Sequence, residues 1–274
     1  MSPQTKTVLV TGSSAGGIGA SLVLAFQRQG LHVFATARSL SKMEQLAKLP
    51  NVTLLELDVT SEASIAAAVQ AVEAHGSGLD ILVNNAGLVM HQPAAEPDFD
   101  LAKTLFDVNF WGVVKVTAAF TPLLVKSKGA VVNIGSMNGR INAPWMSMYA
   151  ASKAAAERYS ETLAIELAPF GVRVLTVTSG SVQSSMGSNN LKNDFAEHSI
   201  FKPAEKDSRV RGESIPRMDA DKYAGKIVAD VLAGRSGTVW RGYFASRMRM
   251  CLAILPTWVI VSTPETICII IKTC

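Results

Sequence analysis

An α/β fold with a doubly wound parallel sheet of about seven strands in a single domain follows from three observations. Short apolar runs alternate with amphipathic stretches of helical period, a glycine-rich turn joins the first run to the first stretch, and no linker or repeat divides the 274 residues. Strands buried on both faces read as unbroken apolar runs, and parallel neighbours need crossover connections, usually helices. Hydrophobic residues make up 48% of the chain and charged residues 18%, which supplies the apolar area for one covered sheet and excludes a disordered protein. The expected catalytic domain is residues 1–243, followed by an apolar C-terminal tail over 244–274.

The elements follow in order. Thr7–Val10 reads as the first strand, and Gly19–Gln29 as an amphipathic helix closed by Gly30. His32–Thr36 is a strand, Leu40–Leu49 a helix, Val52–Leu57 a strand, Ser61–His75 a helix and Leu79–Val83 a strand. A long helix is expected over Leu101–Lys126, then strand Ala130–Ile134, helix Met148–Ala168 and strand Val172–Val177, with a last strand near Thr238–Trp240. Between Ser179 and Met218 the rhythm stops in a stretch rich in Ser, Asn, Lys and Glu, which reads as a mobile substrate cover.

Lys and Arg number 26 against 22 Asp and Glu, a net charge of +4 without a concentrated patch or reader motif, so no nucleic-acid partner is expected. Three cysteines, Cys251, Cys268 and Cys274, fall in the last 24 residues. They frame neither a disulfide scaffold nor a metal site, so no metal is expected, and a reducing cytoplasmic compartment fits. The N-terminus lacks the basic and apolar regions of a secretory signal, and the mature chain is expected to begin at or near Met1. Toward the end of the chain, Arg235, Arg241, Arg247 and Arg249 precede the apolar run Cys251–Val261, which contains Pro256, and Pro264 and Glu265 then interrupt before Ile267–Ile271. That pattern is too broken for a spanning helix. It suits either peripheral contact with an intracellular membrane or cover for an oligomer partner or the protein's own core.

The run Val8-Leu-Val-Thr-Gly-Ser-Ser-Ala-Gly-Gly-Ile-Gly-Ala20 lies between the first strand and the first helix. Glycines there let the backbone approach a pyrophosphate, and the helix N-terminus offers unpaired N–H donors. Gly12, Gly17 and Gly19 are the candidates. The second strand ends in Ala37-Arg38-Ser39 with no acidic residue to hold two ribose hydroxyls, so Arg38 with Ser39 favours a 2′-phosphate, and hence NADPH/NADP+.

Of four tyrosines, only Tyr149 has a lysine four residues on, Lys153. At helical spacing the ammonium faces the phenol and favours phenolate, so a lowered phenol pKa is expected, suited to proton exchange with a carbonyl oxygen. Ser136 follows strand Ala130–Ile134, at the carboxyl end of the sheet where such folds place ligands.

Together, the Thr11-Gly12 loop, Asp58-Val59, Asn84-Asn85-Ala86-Gly87, Asn109, Ser136 and Tyr149-Ala-Ala-Ser-Lys153 resemble the short-chain dehydrogenase/reductase family, over about residues 6–185. The resemblance implies a Rossmann fold, a nicotinamide cofactor and a dimer or tetramer. It implies Tyr149 as proton donor or acceptor, Lys153 tuning it and holding the nicotinamide ribose, Ser136 orienting the substrate carbonyl, and Asn109 holding a relay water. The implied cofactor set is Gly12, Ser14, Gly17, Ile18, Gly19, Arg38, Asp58, Val59, Asn85, Ala86, Gly87, Tyr149, Lys153, Val182 and Ser184, with Asp58 at the adenine.

The extra residue at Gly16-Gly17, with Phe34-Ala-Thr-Ala-Arg38, Phe106-Asp-Val-Asn-Phe-Trp-Gly112 and Glu166-Leu-Ala-Pro-Phe-Gly171, resembles a subgroup of acyl-dihydroxyacetone-phosphate reductases and related lipid or polyketide carbonyl reductases. Where the family generally has Pro-Gly followed by Thr, this chain has Ser179-Gly180 and Ser184. Reduced loop order before cofactor binding is expected from Ser179, with Ser184 keeping a hydroxyl for the carboxamide. The apolar segment Ala143-Pro-Trp-Met-Ser-Met148 fits either a hydrophobic substrate or core packing. The expected function is an NADPH-dependent reductase of a hydrophobic ketone or aldehyde, reversible as an alcohol dehydrogenase. The alternatives are a cofactor-binding protein without turnover, and an epimerase or dehydratase acting on a biosynthetic intermediate.

Overall fold

The computed structural model describes residues 5–76, 78–184, 191, 195–205 and 215–255. Seven strands, β1 (Thr7–Val10), β2 (His32–Ala37), β3 (Val52–Glu56), β4 (Ile81–Asn84), β5 (Ala130–Ile134), β6 (Arg173–Ser179) and β7 (Gly237–Arg241), form one parallel sheet in the order β3-β2-β1-β4-β5-β6-β7. The helices are α1 (Ile18–Arg28), α2 (Glu62–Ala74), α3 (Phe99–Phe106), α4 (Gly112–Ser127), α5 (Ser147–Leu167), α6 (Ala220–Leu232) and α7 (Ala245–Ile254).

The two-residue period of each strand divides the core. Val8 and Val10 of β1 point to the face covered by α1 and α6, among Leu22, Phe26, Tyr223, Ile227 and Val231. Leu9 between them points to the face covered by α2, α4 and α5, among Ile65, Val72, Phe120, Leu124 and Leu163. Phe26 and Phe120 are fully buried, and truncating either to alanine removes roughly 3–5 kcal/mol. From β1 the chain builds outward to β3 and then returns to place β4 on the other side of β1. That reversal opens a crevice above the carboxyl ends of β1 and β4, where open α/β sheets bind ligands.

A polar row crosses the sheet within this apolar frame. Asn84 Nδ2 donates to Asn133 Oδ1 at 2.8 Å and to Thr117 Oγ1 at 2.9 Å, Asn133 Nδ2 donates to Ser160 Oγ at 2.8 Å, and the Ser160 and Thr176 hydroxyls pair at 2.6 Å. Among the described residues no buried side-chain nitrogen or oxygen lacks a partner.

Three elements differ from the sequence-based expectation. The helix expected over Leu40–Leu49 is a run of 3₁₀ turns, Leu40–Leu46. The Lys42 carbonyl accepts from the Ala15 N–H of the glycine loop at 2.9 Å, and Ala47 and Leu49 bond three residues back rather than four. The single helix expected over Leu101–Lys126 is two helices, α3 and α4, joined by a π-helical turn over Asp107–Trp111. Helix α6 falls in a stretch with no predicted element, although Asp219 caps it by accepting from Lys222 N–H at 2.9 Å and its buried residues repeat at helical spacing. The described part of the tail, α7, packs back on the body: Met248 and Cys251 are buried against Ile141 beside Met137 and Trp240. The interrupted apolar segment from Pro256 onward, including Cys268 and Cys274, lies outside the described residues.

Candidate active site

The glycine loop is shaped by contacts that leave no room for side chains. Gly12 has a φ of +72°, and a Cβ on it would stand 2.8 Å from the Ala86 Cα. A Cβ on Gly19 would lie 2.3 Å from the Gly12 carbonyl oxygen, so α1 rests directly on the turn. Asn85 Nδ2 donates to the Thr11 and Gly12 carbonyl oxygens at 2.9 and 3.1 Å, and Thr11 Oγ1 accepts from the Asn85 and Ala86 N–H groups. Asn85 therefore acts by bracing the loop across β1 and β4.

Above these strands lies a cleft of about 200 Å³ whose lining includes Gly12, Ser14, Gly17, Ile18, Arg38, Asp58, Val59, Asn85, Ala86, Gly87 and Ser184 of the expected cofactor set. Lys42, Ala37, Leu57, Thr60, Leu88, Thr104 and Val108, which were not predicted, complete the wall. Gly19, Tyr149, Lys153 and Val182 of that set are not on it: Gly19 supports the turn from behind, Val182 bridges to Met218 and packs against the core, and Tyr149 and Lys153 are buried on α5, with Lys153 Nζ reaching toward Gly87. Asp58 Oδ1 accepts from Thr60 N–H and hydroxyl at 2.9 and 2.7 Å, which folds the loop after β3 over the cleft. The donor set fits a dinucleotide phosphate: bare backbone at a helix start, with two cations, Arg38 and Lys42, on the rim.

The polar face of α5 meets the end of β5 beside this cleft. Tyr149 is buried, and Ser136 at the end of β5 lies near enough to its hydroxyl to favour the phenolate. Lys153 Nζ donates to the Ile134 carbonyl oxygen at 3.1 Å. A Cβ on Gly87 would lie 3.3 Å from Asn109 Oδ1 and 3.5 Å from Lys153 Nζ, so this glycine is the junction between the cleft and the Tyr149 cluster. Asn109, fully buried, sits on the π-helical turn. Its Oδ1 accepts from Leu88 N–H at 2.8 Å, and its Nδ2 donates to the Leu88 carbonyl oxygen at 2.9 Å and to Ser152 Oγ at 3.1 Å. The widened turn aims this side chain inward. Asn109 and Lys153 thereby meet at Gly87, with Tyr149 one turn before Lys153 on α5 and Ser136 just after β5.

The electrostatics correct one expectation. Tyr149 is raised above its ordinary value: burial dominates, Ser136 opposes it, and Glu157 adds to it. A lowering by Lys153 is not what governs the phenol here. Lys153 itself is pulled down to about 8, because burial penalises the ammonium more than Glu157 favours it. Ser179 also differs from the expected loosening. Its hydroxyl is hydrogen-bonded to the buried Tyr223 hydroxyl, Gly180 N–H donates to the Arg241 carbonyl oxygen at 2.7 Å, and Ser181 exchanges backbone bonds with Tyr243. These contacts hold the loop where proline would have stiffened it.

Beside Tyr149, Val89, Met90 and Met146 are packed in a buried apolar cluster, with Ala143, Met148 and Leu191 against it, so the segment before Tyr149 takes part in core packing. Trp145, with a φ of +68°, sets its indole 5.3 Å from the Phe195 ring and 5.5 Å from the Phe201 ring. The described part of the expected substrate cover is thus fastened to the loop that precedes Tyr149; residues 185–190, 192–194 and 206–214 of that cover lie outside the described residues. Glu157 and Lys42 are the residues that sequence reading missed, although Glu157 follows Lys153 by the same four-residue step that singled out Tyr149 and Lys153.

A family model described as short chain dehydrogenase matches residues 6–194. A short-chain dehydrogenase of Penicillium ochrochloron is 41% identical over 257 residues, 92% of this chain and 94% of that protein. The NADPH-dependent 1-acyldihydroxyacetone phosphate reductase of Schizosaccharomyces pombe is 41% identical over 262 residues, 89% of this chain and 88% of its own length. Among solved structures, a short-chain dehydrogenase from Streptomyces avermitilis superposes with a TM-score of 0.79 at 30% identity, covering 96% of this chain and 98% of that one. One from Burkholderia cenocepacia in complex with NADP gives 0.76 at 29% identity, covering 93% and 95%. With the glycine loop, the Asn109–Ser136–Tyr149–Lys153 cluster and the sheet order all in place, the chain belongs to the short-chain dehydrogenase family of nicotinamide-dependent oxidoreductases.

Proposed function

We propose that the protein is an NADPH-dependent carbonyl reductase of a hydrophobic, lipid- or polyketide-like ketone or aldehyde, reversible as an alcohol dehydrogenase, with Tyr149 as the proton donor. The observation that carries this reading is that Ser136, at the end of β5, lies close enough to the buried Tyr149 phenol to favour its ionised form, while Lys153 and Asn109 of the same cluster meet Gly87 on the cleft wall. The bound nicotinamide supplies the hydride. Ser136 donates to the substrate oxygen and holds it beside Tyr149, which transfers its phenolic proton to that oxygen as negative charge develops. A phenol raised by burial stays protonated at neutral pH, the form a reductase needs. Lys153 holds a positive charge beside the cleft, and Asn109 fixes the Leu88 backbone opposite it.

The preference for NADPH rests on Arg38 and Lys42 together on the cleft rim, with no acidic residue at the end of β2. The complex with NADP of the Burkholderia structure and the NADPH dependence of the fission-yeast relative support it. Gly12, Ser14, Gly17, Ile18, Asp58, Val59, Ala86, Gly87 and Ser184 would contact the cofactor directly. Gly19, Asn85 and Val182 would act through the loops they pack. The apolar surroundings of Tyr149 and the Trp145–Phe195–Phe201 ring cluster support a hydrophobic substrate. A cytoplasmic enzyme assembled as a dimer or tetramer is part of the same proposal.

The test is NADPH absorbance at 340 nm with a panel of aliphatic and aromatic ketones and aldehydes, with Tyr149→Phe as the control. Consumption with long-chain or polycyclic carbonyls, lost by at least about 100-fold in the control, is expected. Turnover retained in Tyr149→Phe overturns the proton-donor assignment. Cofactor binding without consumption across the panel favours a non-catalytic role, and product without net consumption an epimerase or dehydratase.

A further inference from the structure

Glu157 is a buried carboxylate that the proposed reaction does not use. It is 2% exposed, on the same face of α5 as Tyr149 and Lys153 and one turn beyond the lysine. Burial of an ionised carboxylate is costly unless its lone pairs are engaged, and here the partners come from β6 and from the loop that follows β5 and carries Ser136. Thr178 Oγ1 of β6 donates to Oε1 at 3.4 Å and Arg140 Nε donates to Oε2 at 2.6 Å, and the Ser136 backbone lies near enough to favour the ionised carboxylate. A Cβ on Gly135 would stand 2.6 Å from Oε1, so only the missing side chain at 135 lets the carboxylate lie directly under the Gly135–Ser136 bend.

We propose that Glu157 is a positioning residue for the reaction: its carboxylate lies under the Gly135–Ser136 bend and holds that loop in place, and it sets a fixed negative charge one helical turn from Lys153. This rests on the reading of Tyr149, Ser136 and Lys153 given above.

The charged and titratable groups around Glu157 come from three elements. Tyr149, Lys153 and Glu161 are on α5, Arg140 is on the loop after β5, and Tyr223 on α6 faces the cluster through its electrostatic interaction with Tyr149. Arg140 is bonded to both Glu157 and Glu161. Burial raises Glu157, and the Arg140 hydrogen bond and charge oppose that rise. An ionised Glu157 in turn favours the Lys153 ammonium against its own desolvation. Removing the charge therefore makes Lys153 lose its proton at lower pH, whereas shortening the side chain keeps the charge but withdraws it from Ser136.

The two functions separate in two variants. In Glu157→Gln the alkaline limb of kcat/KM moves toward acid by about one pH unit. In Glu157→Asp the limb stays in place while kcat falls roughly tenfold to a hundredfold from the misplaced Ser136. The Lys153 shift is also read in the cofactor-free protein by NMR titration of ¹³C-labelled lysine. Arg140→Gln, at a position only partly buried, leaves the Glu157 carboxylate without its guanidinium and so moves the Lys153 titration the opposite way, toward higher pH, and carries the test should Glu157→Gln fail to fold. A Lys153 titration and rate profile identical to the parent's in the charge-removing variant, or a parent kcat in Glu157→Asp, overturns the proposal. Turnover retained in Tyr149→Phe overturns the underlying reading instead, and leaves the NMR titration as the measure of the Glu157–Lys153 coupling.

Discussion

Replacing Arg38 and Lys42 together by alanine removes two cations from the rim of the cleft without disturbing the backbone that shapes it. Lys42 holds the glycine loop through its carbonyl oxygen, which accepts from Ala15 N–H at 2.9 Å and survives the substitution. Both side chains are exposed, so their attraction for a 2′-phosphate is screened by water and falls at the low end of charge-assisted hydrogen bonds. About 1 kcal/mol for each gives about 2 kcal/mol for the pair, or roughly thirtyfold in affinity. Initial rates at 340 nm with varied NADPH and NADH should show the NADPH KM rising roughly thirtyfold in the double variant, with the NADH KM changed less than about twofold. Added salt should raise the parent's NADPH KM and have little effect on the double variant. Equal changes for the two cofactors would refute the assignment of these cations to the 2′-phosphate.

Asn109→Ala removes a fully buried side chain that satisfies both polar groups of Leu88. Unfolding free energy should drop by roughly 2–4 kcal/mol in urea titrations, and a drop below about 0.5 kcal/mol would mean that the π-helical turn is held by other contacts. Lys153 in the folded chain sits at about 8, below the ordinary lysine value of 10.5, so between these values the unfolded chain binds the extra proton. Stability contributed by this site therefore rises as pH climbs from about 8 toward 10.5 and is absent below it. Denaturant midpoints at several pH values should show that rise in the parent and a flatter profile in Lys153→Met; parallel profiles contradict it. Tyr223→Phe leaves the Ser179 hydroxyl without its partner in the core. A loss of about 1–2 kcal/mol in thermal or urea unfolding is expected, together with weaker cofactor binding; an unchanged cofactor Kd would separate Ser179 from the loop bearing Ser184.

The strands were legible because parallel strands covered on both faces leave an unbroken apolar run, and the glycine loop because its residues are dictated by backbone contacts. The catalytic residues carry their own spacing: Tyr149 and Lys153 share a helix face, and Ser136 ends a strand. What could not be read depends on contacts distant in sequence. Leu40–Leu46 has helical composition, but the Lys42 carbonyl is taken by Ala15, 27 residues earlier. The π-helical turn at Asp107–Trp111 costs a regular hydrogen-bond pattern in order to send Asn109 to Leu88, a partner 21 residues away. Tyr149 was expected to be lowered by its neighbour on the helix, yet its pKa is set mainly by enclosure among Met90, Met146 and Val89, which periodicity does not report. Glu157 and the Asp219 cap of α6 were within reach of the same spacing rules.

The row of side chains from Asn84 through Asn133 to Thr176 has a consequence for how the chain finds its fold. β4, β5 and β6 are apolar on both faces, so sliding one strand past another by two residues would exchange one set of valines and leucines for another at little hydrophobic cost. In the native alignment Asn84 stands opposite Asn133, and Asn133 opposite Thr176, and their side chains satisfy one another directly or through Ser160. A slip would bury each amide against aliphatic carbon, at roughly 1–3 kcal/mol for each unsatisfied group. The row thus acts as an alignment key that rejects misregistered sheets, and it places the ends of β4 and β5 at one height so that Gly87 and Ser136 emerge facing the same space.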